Sequence, residues 1–488
     1  MNILNSQIAK DALAYCAYLV FFSIVYITSL TTIYGFSDDY AYIASAHTQL
    51  PDLMSMMTQG GRPVYAVLSC IYIGVTNVSD LCWIRLFSLA GIAALSTLFM
   101  KHLKENSPFS SNACIIFAAC IGLMPAFQVY AAWSVTAGYT WAAFMAGLSY
   151  RLVQHNPKQQ WQRLFFSFLL LGLAICTYQP SAMMYWVFAG TAWLAPDKPL
   201  PARKVLLTTC TVMAGALILD FIATKALPSL VFHAIPPMNR TALVSDIGGK
   251  ITWFLLKALR NALDLPYAKG STLLSILVLI FIVPGFVVHY RASQYFKYQK
   301  VLICIFLVPL SYLPNLVMQE NWAAYRTQSA LTSLLLLYFT IALWSWLKTI
   351  KASQYMTPCM SVMLILCAWI AHSDVKNGFA KPQSTELRLT AQYLSKINNF
   401  DNAASIYFVL ARREETLAPF LRYDEFGLPS SSQMWLPKSL IWVLLNARHS
   451  PNLAKVSTAG VGYATDIPNT RNVTVFNFGD ILQQAHSQ

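Results

Sequence analysis

Four short stretches hold most of the side chains that could do chemistry together. FSDDYAY, residues 36–42, sets Asp38 and Asp39 side by side among Phe36, Tyr40 and Tyr42. A carboxylate close to apolar rings and lipid has a raised pKa and can act as a general base. Aromatic faces such as that of Tyr40 suit the C–H surfaces of sugars. The stretch SMMTQGGRP follows and contributes Arg62. In TYQPSA, 177–182, Tyr178 and Gln179 offer hydrogen bonds to a hydroxylated ligand at a turn made by Pro180. In QENWAAYRT, 319–327, Glu320 and Arg326 stand close together, and the planar fork of an arginine matches phosphate oxygens. Arg85, Lys225 and Arg240 are further places for phosphate or headgroup contact. Asp220 is an acid well inside an apolar run, a placement that is expensive in lipid.

Taken singly, each of these has a plainer reading. Paired loop acids are usually solvated, and an arginine at a span end often snorkels to the interface. The case rests on convergence at one membrane face, which depends on the elements that carry the residues. The 488 residues are 56% hydrophobic and 11% charged. Soluble domains carry about 25% charged residues, so lipid is the expected solvent for most of the chain. Charge becomes denser after residue 373, which predicts a membrane part, 1–373, followed by a small water-exposed domain, 374–488. The net charge of +14 lies in short clusters between apolar runs, a distribution that points to cytoplasmic loops and lipid headgroups and away from nucleic acid. The ten cysteines have no metal-site spacing. Neither a metal nor another cofactor is expected.

Apolar runs long enough for a bilayer, ~20 residues each, predict eleven transmembrane helices at 12–34, 81–100, 112–130, 133–150, 162–178, 181–196, 205–225, 271–290, 300–318, 327–347 and 356–373. The run RPVYAVLSCIYIGV, 62–75, is too short to cross and is expected on the surface. With that choice the short loops holding Lys101 and Lys104, Arg151 and Arg163, Arg203 and Lys204, Arg291, and Lys348 and Lys351 all fall on the cytoplasmic side. The loops 35–80, 226–270 and 319–326 and the domain 374–488 then share the other side. In the second of these loops Trp253, Leu256, Leu259 and Leu263 predict one face of an interfacial helix. In the tail, a helix from Ser384 to about Lys396, strands at 405–411 and 472–478 and a helix at 437–448 predict a small α/β domain.

The order DD, GRP, YQP, AYRT, together with LCWIRLFSLAGIAAL opening the second span, resembles the GT-C membrane glycosyltransferases. Within them it is most similar to the serotype-converting O-antigen glucosyltransferases of bacteria and phages. The likeness covers roughly residues 10–350. It implies a polytopic α-helical fold in the bacterial inner membrane, working on the periplasmic face. It further implies a polyprenyl-phosphate-linked glucose donor and a lipid-linked O-antigen acceptor. On this likeness Asp38 or Asp39 is the base. Arg326, with Arg62 or Lys225, meets the donor phosphate. Tyr40, Tyr178, Gln179, Glu320 and Arg240 contact substrate. The alternatives are an O-antigen polymerase and a flippase for lipid-linked sugars. A transport path would require charged residues in mid-membrane, and the polar residues here gather at the outer ends of the spans.

Overall fold

The computed structural model describes residues 2–154, 160–195, 199–232, 242–263, 272–291, 298–396, 405–447, 457–467 and 473–486. It is 78% helical. Among the described residues six helices are long and apolar enough to cross a membrane: Ile8–Val25, Val78–Asn106, Arg203–Phe232, Thr272–Arg291, Ser329–Thr349 and Ser353–Lys396. A seventh crossing results if Ser111–Ile121 and Pro125–Ala132, bent by 59°, count as one. The bend falls at Gly122, where a side chain would meet the Phe22 ring at 2.5 Å, and Pro125 starts the second piece. The other expected crossings are the helices Ala137–Gln154, Gln160–Thr177, Met184–Trp193 and Tyr298–Leu310, of 18, 18, 10 and 13 residues. A ten-residue helix rises about 15 Å, half of a hydrocarbon core.

Large apolar side chains point outward along the long helices. Leu13, Val20, Ile24, Phe221, Ile222, Ile280 and Trp369 are all more than half exposed. A lipid solvent demands such a surface, and water does not favour it. Inside, Leu81–Asn106, Ala137–Gln154 and Gln160–Thr177 pack side by side. Small residues let them approach: Gly91 lies against Thr140, and Ser149 Oγ is 2.9 Å from Ser167 Oγ.

The segment 247–263 is helical, but its buried face differs from the expected one. A π-turn at Phe254–Ala258 shifts the phase, so Phe254, Ala258, Ala262 and Leu263 are buried while Leu256 is exposed.

No linker introduces the tail. The last long helix runs 44 residues, Ser353–Lys396, through a π-turn at Lys376–Ala380, so Ser384 is interior to it and caps nothing. Beyond it come three parallel strands, β1 (Ser405–Val409), β2 (Ser457–Gly462) and β3 (Val473–Asn477), in the order β2-β1-β3. The central strand β1 carries the run IYFV, buried at every position, as a strand covered on both faces requires. Helices Pro437–Asn446 and Phe478–His486 complete this layer. One apolar core joins it to the helical bundle, with Phe379 packed edge-on against Phe36 at 5.0 Å and near Phe426 at 4.9 Å.

Candidate active site

The two aspartates open the helix Asp38–Thr48, where the partial positive charge of a helix start favours acids. Ser37 before them is in an unusual left-handed conformation, φ 45°, which costs about 1–3 kcal/mol unless its surroundings hold it. They do. The Ser37 N–H donates to Ser430 Oγ at 2.9 Å, Ser430 Oγ donates to Gln383 Oε1 at 2.6 Å, and the Glu386 carboxylate accepts the N–H groups of Ser430 and Ser431. The tail thus fixes the turn that presents the acids.

From there the two carboxyls part. Asp39 is fully buried. Its oxygens accept the N–H groups of Phe36 and Val135, both at 3.0 Å, and Arg85 lies 3.8 Å away. Burial pushes its carboxyl up to about 6, against the pull of Arg85 and the two amides. Arg85 donates to the carbonyls of Ala132, Ser29 and Tyr34. It braces the interior and is buried, with no face open to a headgroup. Asp38 is half-buried, and its Oδ1 accepts the Trp435 indole N–H at 2.8 Å.

Arg62 and Arg326 approach the same place from separate elements. Arg62 precedes the helix Pro63–Leu68 and donates to Tyr139 Oη at 3.1 Å. Its guanidinium lies 5.0 Å from the Tyr178 ring. Tyr178 stacks on Tyr139 with centroids 3.6 Å apart and planes within 5°. Arg62 Nε has no hydrogen-bond partner among the described residues. Arg326 lies between the Trp133 and Trp322 rings, at 4.9 and 5.2 Å. It is ion-paired to Glu425 at 2.8 Å and Asp424 at 3.6 Å. Burial alone would lower its pKa, but these two acids hold it well above the ordinary value. Burial raises Glu425 in turn. Both Glu425 oxygens nonetheless accept N–H donors, so a proton there would displace a hydrogen bond and the contact is built around the charged form. The two arginines are within electrostatic reach of each other and of Tyr178, and Tyr42 is within reach of both Asp38 and Arg62. Arg62, over the stacked tyrosines with its Nε unpartnered, makes a seat for an anion, and Arg326 stands near it already matched by two acids.

The remaining expected residues divide. Gln179 joins the cluster, donating to the Gly61 carbonyl at 2.6 Å and to Asp220 Oδ2 at 3.0 Å. Tyr40 does not: its ring is buried beneath Gly35, whose N–H donates to its hydroxyl at 3.3 Å, so no face is open to a sugar. Lys225 is exposed, 5.9 Å from the Phe221 ring. The Glu320 side chain is exposed and its carbonyl accepts Lys250 Nζ at 2.7 Å. Arg240 lies outside the described residues. Among the described residues no three of His, Cys, Asp and Glu are grouped to hold a metal.

Sequence reasoning missed Asp424, Glu425, Ser430 and Trp435. LRYDEFG, 421–427, carries the same signal as FSDDYAY, adjacent acids flanked by aromatics, and could have been weighed alike. Comparison with protein-family models and with curated proteins finds no match.

Proposed function

We propose that this chain is a GT-C type glycosyltransferase of eleven crossings, with the shorter and broken helices completing the six long ones. It moves glucose from a polyprenyl-phosphate donor to a sugar of lipid-linked O-antigen on the periplasmic face of the bacterial inner membrane. Nucleotide sugars are cytoplasmic, so a transferase facing outward uses a lipid-borne donor. The observation that supports this reading is that the half-buried Asp38 and Arg62 share Tyr42 as a neighbour, with Arg62 Nε unpartnered over the stacked tyrosines. Asp38 takes the proton of an acceptor hydroxyl, whose oxygen bonds to the anomeric carbon. The bond from that carbon to the phosphate oxygen breaks, and the lipid phosphate leaves with the electron pair. Arg62 and Arg326 stabilise the charge that develops on it. Asp39, sealed and already accepting two backbone amides, positions the helix that carries Asp38.

The test is expression in cells supplied with polyprenyl-phosphate glucose, with O-antigen analysed by mass spectrometry. One added hexose per repeat, lost in Asp38→Asn, is the expected result. Changed chain length with unchanged repeats would identify a polymerase. Unchanged repeats and length, with altered export of lipid-linked sugar, would identify a flippase.

A further inference from the structure

Asp220 and Thr224 stand one turn apart on the helix Arg203–Phe232 and are 7% and 8% exposed. Asp220 Oδ2 accepts from Gln179 Nε2, and that same Nε2 reaches the carbonyl of Gly61, the residue before Arg62. The Cys176 thiol, a weak donor, also faces the carboxylate. Asp220 Oδ1 and Thr224 Oγ1 nonetheless have no hydrogen-bond partner among the described residues. Thr224 Oγ1 lies 3.7 Å from where a side chain on Gly61 would begin, and Gly61, at φ +77°, carries none. Unpaired buried acceptors are destabilising, and two of them sit one residue removed from the anion seat.

We propose that Asp220 and Thr224 bind a ring hydroxyl of the donor's sugar and so set which sugar is transferred. The inference rests on the transferase reading above. A hydroxyl needs one acceptor and one donor: Asp220 Oδ1 accepts its proton, and the Thr224 hydroxyl donates to its oxygen. A cation would need several oxygens, and the Gly61 carbonyl and Oδ2 are already engaged by the Gln179 amide. Gln179, bonded to both Asp220 and Gly61, ties this pair to Arg62, which in the transferase reading meets the phosphate that carries the sugar.

The experiment uses the full-length protein in detergent with short-chain polyprenyl-phosphate glucose and its 2-, 3-, 4- and 6-deoxy analogues. Transfer kinetics and ligand-induced shifts in melting temperature are measured in parallel. Wild type should discriminate against at least one deoxy analogue by about ten- to hundredfold, the range of a hydrogen bond to a charged group. Asp220→Asn and Thr224→Val should each raise KM for the parent donor and shrink that discrimination severalfold, with a smaller effect on kcat. Thr224→Ser should restore it. Discrimination unchanged in both variants would overturn the proposal, as would a wild type that binds all analogues equally. Selective binding without any transfer would keep the sugar site and refute the transferase reading. Thr224→Val changes no charge, so it remains informative if Asp220→Asn folds poorly.

Discussion

The contact most open to quantitative test is the clasp of Glu425 on the AYRT turn. Glu425 is fully buried and accepts the Tyr325 N–H at 2.8 Å, the Arg326 N–H at 3.1 Å and Arg326 Nη1 at 2.8 Å. Glu425→Ala leaves two backbone amides unpaired and Asp424, 3.6 Å away, as the acid still facing the guanidinium. Removing one partner of a buried ion pair costs about 3–5 kcal/mol. Glu425→Gln keeps one acceptor oxygen and turns an NH2 toward a donor, for a loss of about 2 kcal/mol. A membrane chain of this size unfolds irreversibly, so the measurement is the half-life in detergent at a fixed temperature. Each 1.36 kcal/mol is tenfold in rate. Glu425→Ala should therefore shorten the half-life by roughly a hundredfold or more if the loss falls on the unfolding barrier, and Glu425→Gln by roughly thirtyfold. Adding Arg326→Met to Glu425→Ala should recover part of the loss, because it removes the stranded charge. A half-life for Glu425→Ala within twofold of wild type would refute the reasoning. A double variant no longer-lived than the single would show that the guanidinium is not the source of the damage.

Asp38→Asn should cut transfer by about a hundredfold or more at unchanged half-life, whereas Asp39→Asn should cost about 1–3 kcal/mol of stability by leaving a buried amide unpaired. Because the Asp39 carboxyl is raised from 3.8 to about 6, the folded chain holds its proton more tightly than the unfolded one. The stability this contributes is complete below pH 3.8 and lost as pH rises through about 6, ~3 kcal/mol at the limit. Half-life should fall less steeply between pH 4 and about 6 in Asp39→Asn than in wild type, the buried Glu425 keeping its own raised carboxyl in both. Gly61→Ala should cost about 1–2 kcal/mol and depress transfer, since φ is +77° and the new methyl would meet Gln179 Nε2 at 2.6 Å. Trp435→Phe keeps the ring, loses the N–H to Asp38, and should lower transfer without shortening the half-life.

The helical bundle was legible because its signal is local. Runs of apolar residues appear in the sequence where the long helices stand, and strand SIYFV and the helix after Pro437 fell close to their expected bounds. The phase of 247–263 was not legible, since a π-turn inserts an offset that no 3.6-residue pattern announces. Nor was the division of labour between Asp38 and Asp39. Adjacent residues at a helix start point in different directions, and which one is sealed depends on Val135 and Arg85, 96 and 46 positions away along the chain. Tyr40 misled for the same reason: an aromatic in an outer loop serves a sugar or the core equally well by type. The tail's share was hidden by sequence distance, with Trp435 meeting Asp38 across 397 positions.

That distance has a consequence for how the protein comes into being. The turn that presents Asp38 is braced by Ser430, and the countercharge of Arg326 arrives with Asp424 and Glu425. A nascent chain therefore holds Ser37, Asp38 and Arg326 without these partners until residues 424–435 have been made. The candidate site has all its partners only after synthesis has passed residue 435.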